Sequence, residues 1–135
     1  DVDEFKAVND RFGHDVGDEV LREVGRRLRE ACRAGDTVAR IGGEEFALIL
    51  TRTSAEGAMV VAERTRALIS DSPIAVSAGD LSVTVSAGVS SVGGEVGFDS
   101  QEMYRSADEA LYASKREGRN RVTLRRSRRP SNPPA

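Results

Sequence analysis

Apolar residues recur at helical spacing over residues 17–33, where Val20, Leu21, Val24, Leu28, Ala31 and Cys32 share one side. Asp18 and Glu19 stand in the first turn of this predicted helix and Arg29 and Arg33 near its end, the charge order that the helix dipole favours. Asp36 and Thr37 then lead into two short apolar runs, residues 38–41 and 46–50, joined by Gly42, Gly43, Glu44 and Glu45. Two such runs with a glycine-containing connection predict a β-hairpin that ends near Thr51. Ser54, with Glu56 and Gly57, opens a second predicted helix with Ala58, Val61, Ala62, Thr65, Leu68 and Ile69 on its apolar face, and Ser72 and Pro73 close it. Residues 81–92 alternate apolar and small polar positions (Val83, Val85, Ala87, Val89) and predict a strand, followed by a loop at residues 93–97. Ser100 is expected to cap a third helix reaching Glu117, with Met103, Ala107, Leu111 and Ser114 along one side. Gly118 takes the C-cap position, and residues 120–124 predict a last short strand. Helices alternating with strands, without an internal repeat, predict an α/β (or α+β) fold with one mixed central sheet flanked by helices.

Composition adds bounds. A chain of 135 residues, 39% hydrophobic, suits one domain with a single core. The net charge of -2 favours neither nucleic acid nor an acidic partner. Positive charge is concentrated at the end, where Arg125, Arg126, Arg128 and Arg129 precede Pro130, Ser131, Asn132, Pro133, Pro134 and Ala135. This divides the chain into a domain over residues 1–124 and a basic, proline-rich disordered tail over residues 125–135. A tail contact to anionic lipid or nucleic acid is the less favoured alternative. The single Cys32 excludes an intrachain disulfide and fits a reducing, cytoplasmic setting. No run approaches the ~20 apolar residues that span a bilayer, and no signal peptide is visible. The chain begins on Asp1 without a methionine, as a piece of a longer protein would.

The hairpin connection is where chemistry first concentrates. Glycine tolerates positive φ and close approach, and two adjacent acids put negative charge beside open backbone. Such a tip suits a divalent cation carrying nucleotide phosphates; a merely solubilising tip is the alternative. The first eighteen residues are dense in polar groups. An EF-hand start fails at Phe5 and Lys6, whereas a strand end would project the Asp1 carboxylate from a sheet edge. Asn9 and Asp18 have the right groups for a guanine edge, since a carboxylate accepts from ring and exocyclic N–H groups and an amide both donates and accepts. Turn and N-cap duty is their alternative, and a hydrogen-bonded structural imidazole is that of His14. Lys115 and Arg119, four apart, are placed to share a helix face and grip one phosphate chain, or to serve as ordinary helix-terminal cations.

Together these segments resemble the GGDEF domain of diguanylate cyclases: residues 1–6, 9–18, 42–46, 86–89 and 107–121 follow in the family's order, with the signature in its GGEEF form. The resemblance reaches to about Leu124; the family's first helices and the start of its central strand would lie upstream of Asp1 and are expected in a longer parent, with a sensory or receiver domain. It implies a fold similar to nucleotide cyclases and polymerase palms with the GGEEF hairpin at the active site. It also implies condensation of two GTP into cyclic di-GMP with release of two pyrophosphates, by a homodimer whose protomers each present one GTP.

Residue by residue, the resemblance implies that Asp1, Glu44 and the carbonyl of Val2 hold two Mg²⁺ or Mn²⁺ per site, with Glu44 also a candidate proton acceptor and Glu45 a second acid. It implies that Asn9, His14 and Asp18 read the base, making GTP the preferred substrate, and that Lys6, Lys115 and Arg119 bind the β- and γ-phosphates. Arg33 and Asp36 form an RxxD separated by five residues from Gly42, the family's spacing for an inhibitory product site, with Arg64 as its secondary arginine. Any membrane tether would belong to an upstream domain. The rival reading is a catalytically silent GGDEF domain that serves as a cyclic di-GMP or GTP receptor.

Overall fold

The first apolar stripe forms a helix, but it begins earlier than its pattern predicts and is preceded by another. In the computed structural model, which describes residues 1–92 and 98–126, α1 (Phe5–Phe12) is followed by α2 (His14–Ala31), and Gly13 at φ 90° breaks the chain between them. No helix was expected over residues 5–12. In α1 only Phe5 is buried, and its larger apolar residues Phe5, Val8 and Phe12, though at helical spacing, span barely two turns among polar residues. In α2 the stripe is deep: Val20 and Val24 are fully buried, with Leu21 and Leu28 beside them.

The predicted hairpin is present as β1 (Thr37–Arg40) and β2 (Phe46–Ile49), antiparallel, with Arg40 opposite Phe46 as the last pair before the connection. The second predicted helix is α3 (Ala55–Ser70), and the Ser54 hydroxyl accepts from the Gly57 amide at 3.0 Å as its N-cap. An unpredicted hairpin follows, β3 (Ile74–Val76) with β4 (Gly79–Leu81); three-residue strands are too short to show an alternation. The strand expected over residues 81–92 is therefore divided. Leu81 closes β4, Val85 bridges Val2, and β5 covers Ala87–Ser91. The third predicted helix is α4 (Ser100–Arg116), capped by the Asp99 carboxylate, which accepts from the Gln101 and Glu102 amides, and not by Ser100. Its deepest residues are Ser106, Ala110 and Ser114, so Met103, Ala107 and Leu111 lie only at the border of the buried face. Small residues win because the approach is close: a Cβ on Gly88 of β5 would collide with the Ala107 carbonyl and the Leu111 amide. β6 (Val122–Arg126) runs parallel to β5 and includes Arg125 and Arg126, which the sequence assigned to the tail. Residues 127–135 of that tail and the expected loop at 93–97 lie outside the described residues.

The fold is mixed α/β, although its strands form three two-stranded sheets among the described residues, not one continuous sheet. Residues 1–3 join the β1–β2 connection to the segment that enters β5. On one edge Ser86 N donates to Asp1 O and Asp3 N to Thr84 O; on the other, Val2 N donates to Glu44 O at 3.1 Å. Val2, Phe5, the α2 stripe, Ile69, Ile74, Val83 and Val85 make one core beneath this strip. No helix among the described residues is long and apolar enough to cross a membrane.

Two arginines tie α2 to α3 through the helices' terminal carbonyls. Arg27, 8% exposed, donates to the carbonyls of Leu68, Ser72 and Pro73 at 2.8–3.0 Å and pairs with Glu23. Arg64 returns the contact from α3, donating to Ala31 O at 2.6 Å. Leu68 O and Ala31 O stand in the last turns of α3 and α2, where the guanidinium groups act as caps, while Ser72 and Pro73 belong to the segment that follows α3. Arg27→Ala is expected to leave several of its carbonyl partners unpaired and to lower stability by about 3 kcal/mol, read as a lower urea midpoint at unchanged slope.

Candidate functional site

A cleft of about 330 Å³ opens between the start of α1, the first turns of α2 and the β1–β2 connection. It brings together Lys6, Asn9, His14, Asp18 and Glu44, five residues singled out by the sequence. α1 supplies Lys6 and Asn9, three apart on one helical face, while His14 and Asp18 are four apart on α2. The cleft also contains Gly43 of the expected hairpin connection, together with Phe5, Leu21 and Arg40, which the sequence reading missed as site residues. Leu21 had a readable signal, since it lies three residues beyond Asp18 on the same helix face. Phe5 and Leu21 give the cleft an apolar wall suited to a planar ring, between polar groups that can fix the ring's orientation.

The connecting loop is shaped by backbone contacts. Arg40 Nε donates to the carbonyls of Gly42 and Gly43 at 3.2 and 3.0 Å, and Ile41 N donates to Glu45 O at 3.0 Å. Neither Gly42 nor Gly43 takes the positive φ that first suggested glycine there. Gly43 instead has open space around it, and a Cβ on Gly42 would stand 3.3 Å from Glu45 Oε2. Glycine here leaves room for the acids and for a ligand.

Asp1, Val2, Glu45, Lys115 and Arg119 do not line this cleft. Asp1 and Val2 adjoin it through the Val2–Glu44 hydrogen bond. The Asp1 carboxylate, its side chain 6% exposed, forms an ion pair with Lys115 Nζ at 2.7 Å. Lys115 and Arg119 do not share a helix face: α4 ends at Arg116, and Arg119 sits beyond it with φ 63°.

Asp3 organises that turn and was not among the expected site residues. It is 8% exposed, and its carboxylate accepts from Thr84 Oγ1 and Ser86 Oγ at 2.7 Å each and from Asn120 N at 3.0 Å. Gly118, Arg119 and Asn120 all have positive φ, a conformation that persists for non-glycine residues only where neighbours over-determine it. Those neighbours are Asp3, Ser114 O, which accepts from Arg119 N, and Arg66 Nη1, which donates to Asn120 Oδ1 at 2.8 Å.

At the opposite end of β1–β2, Asp36 accepts from Arg33 N at 3.0 Å and Thr51 N at 3.3 Å, and its side chain is 2% exposed. Arg33 is exposed and donates to Thr51 O and Thr53 Oγ1. The carboxylate therefore builds the turn, and the guanidinium, though largely exposed, rests against Thr51, Thr53 and, at 3.8 Å, the same carboxylate. Arg64 lines a separate cleft of about 200 Å³ with Ala67, Leu68, Asp71 and Ser72.

These features define a mixed α/β domain with a polar cleft under an acid-tipped hairpin. The chain belongs to the GGDEF domain family, described as "Diguanylate cyclase, GGDEF domain", whose family model matches residues 1–121. It is 45% identical over 130 residues to diguanylate cyclase A of Treponema denticola, covering 96% of this chain and 35% of that protein. It is 48% identical over 124 residues to the response regulator PleD of Caulobacter vibrioides, covering 90% of this chain and 27% of that protein. The chain thus spans about a third of the curated relatives it matches. Among solved structures, the active GGEEF domain of a diguanylate cyclase from Vibrio cholerae superposes with a TM-score of 0.83 at 37% identity, covering 96% of this chain and 80% of that one. The GGDEF domain of DgcB from Caulobacter crescentus, in complex with c-di-GMP, gives a TM-score of 0.83 at 39% identity, covering 92% of this chain and 73% of that one.

Asp3→Ala is expected to strand two hydroxyls and one amide, costing about 2–4 kcal/mol of stability in urea unfolding. Amide exchange at Asn120 should accelerate more than exchange in α2.

Proposed function

We propose that this chain is the catalytic domain of a diguanylate cyclase, which condenses two GTP into cyclic di-GMP and releases two pyrophosphates. The observation that carries the reading is the single cleft in which Lys6, Asn9, His14 and Asp18 face Glu44. Asp18 accepts from guanine N1–H and N2–H, and adenine, whose N1 bears a lone pair, gives it no donor there. Asn9 completes the base contacts, His14 stands near base or ribose, and Phe5 and Leu21 cover the ring faces. Lys6, with Lys115 and Arg119 and the backbone N–H groups near Glu4 and Phe5, binds the β- and γ-phosphates. Lys115 exchanges its present partner Asp1 for phosphate oxygens.

The donor set suits Mg²⁺ or Mn²⁺, two per site. Asp1, Glu44 and the Val2 carbonyl offer only oxygen, and no group of three or more His, Cys, Asp or Glu side chains among the described residues closes a cage. Mg²⁺ characteristically binds through one or two carboxylates and completes its shell with water and substrate phosphates. When bound, such ions neutralise the triphosphate and acidify the attacking hydroxyl. Glu44, with Glu45 behind it, accepts the proton from the 3′-hydroxyl of one GTP as that oxygen attacks the α-phosphorus of the other and pyrophosphate leaves. A second, symmetric attack closes the ring, which is why two protomers must meet face to face.

Product inhibition rests on Arg33, the exposed member of the RxxD turn, with Arg64 nearby as a second cation. Asp36 supports Arg33 by fixing the turn and does not itself reach for the ligand.

Incubated with GTP and Mg²⁺, the protein is expected to form cyclic di-GMP, followed by chromatography. Glu44→Ala should lower that rate roughly a hundredfold or more. Full activity in Glu44→Ala removes the acid from the mechanism, and binding of cyclic di-GMP without turnover supports the receptor reading instead. Arg33→Ala should raise the product concentration that halves the rate by at least tenfold while changing initial turnover less than threefold; unchanged inhibition excludes this site.

A further inference from the structure

Gly17 lies buried within α2, where a glycine calls for a physical reason. Its backbone supplies none, because its amide donates to Gly13 O at 3.1 Å and its φ is not positive. In a helix interior every other residue except proline is more favourable. The reason lies across the helix contact. A Cβ on Gly17 would collide with Asn9 Oδ1 and would stand 3.1 Å from Asn9 Cγ and 3.0 Å from Phe5 Cζ. The Asn9 amide is laid directly on the bare backbone of α2, one residue before Asp18.

A second observation concerns the same atom. Among the described residues, Asn9 Oδ1 is the buried side-chain nitrogen or oxygen without a hydrogen-bond partner. With one end of the amide pressed against Gly17, the other end is what remains for the cleft that Asn9, Phe5 and Asp18 line together. A buried amide end without a partner is unfavourable, and such a cost is retained where the exposed end has a partner to meet.

We propose that Gly17 is a positioning residue for nucleobase recognition: its missing side chain lets the Asn9 amide lie on α2 with one end toward the cleft, beside the Asp18 carboxylate. The proposal rests on the nucleotide reading above. Gly17 touches no ligand; it fixes the direction of a side chain that does.

The test is Gly17→Ala, alone and combined with Asn9→Ala, in the full chain. Alanine favours the helix but must displace the Asn9 amide and crowd the buried Phe5 ring, so the thermal midpoint is expected to fall by no more than a few degrees. Without nucleotide, the Asn9 side-chain NH₂ signals in a ¹⁵N–¹H spectrum, assigned by their loss in Asn9→Ala, should shift. Affinity for a non-hydrolysable GTP analogue with Mg²⁺ should fall at least tenfold in Gly17→Ala. In the Asn9→Ala background the same substitution should change it less than twofold. Unmoved NH₂ signals, unaltered affinity, or equal losses in both backgrounds overturn the positioning role, the last by placing the effect on Phe5 or on helix packing. If Gly17→Ala does not fold, the double variant, in which the collision with Asn9 is gone, should; its failure also overturns the proposal. Failure of the unsubstituted protein to bind the analogue overturns the nucleotide reading itself, a result separable from the others because the NH₂ signals are read without ligand.

Discussion

Residues 1–3 are held along both edges, and the site depends on that arrangement. One edge is bound to Thr84 and Ser86 and the other to Glu44, while the Asp3 carboxylate reaches forward to Asn120. This strip links the backbone of the β1–β2 connection to the segment entering β5, and it fixes the hairpin tip relative to Asp1. A charged carboxylate that accepts three hydrogen bonds in a buried position is stabilising only while all its partners are present. The same contact that orders the core therefore also sets the left-handed turn carrying Arg119 and, through the adjoining helix end, the place of Lys115.

The chemistry follows from this scaffold. Under the proposed nucleotide reading, hairpin and strip would supply acids, α1 and α2 base-reading groups and the end of α4 cations, so each class of group arrives on a different element. The Lys115 ammonium, 2.7 Å away, balances the buried Asp1 carboxylate and ties α4 to the strip. At the far end of β1–β2, Asp36 plays a smaller version of the Asp3 role, spending its carboxylate on backbone amides beside a largely exposed arginine.

Much of this was legible in the sequence wherever period and chemistry coincide. The α2 stripe, the Ser54 cap and the acid-tipped hairpin all came through, because each is a local pattern with a local cause. Lys6, Asn9, His14, Asp18 and Glu44 gather as expected. What escaped is set by non-local packing. α1, with Phe5, Val8 and Phe12 spread over only two turns, and β3 and β4, of three residues each, are too short to announce themselves. A buried Asp3 looks in sequence like any solvated acid, and the four-residue spacing of Lys115 and Arg119 misleads because the helix stops between them. Gly42 and Gly43 were placed correctly for a reason only half right, since space and not positive φ is what they provide.

The most direct test is a crystal structure of the domain with Mn²⁺ and a non-hydrolysable GTP analogue, with the metal located by anomalous scattering. The account predicts manganese against the Asp1 and Glu44 carboxylates, guanine in the cleft beside Asn9 and Asp18, and Lys115 Nζ moved from Asp1 to a phosphate oxygen. Nucleotide bound elsewhere, or bound in this cleft with the metal away from both carboxylates, would contradict it.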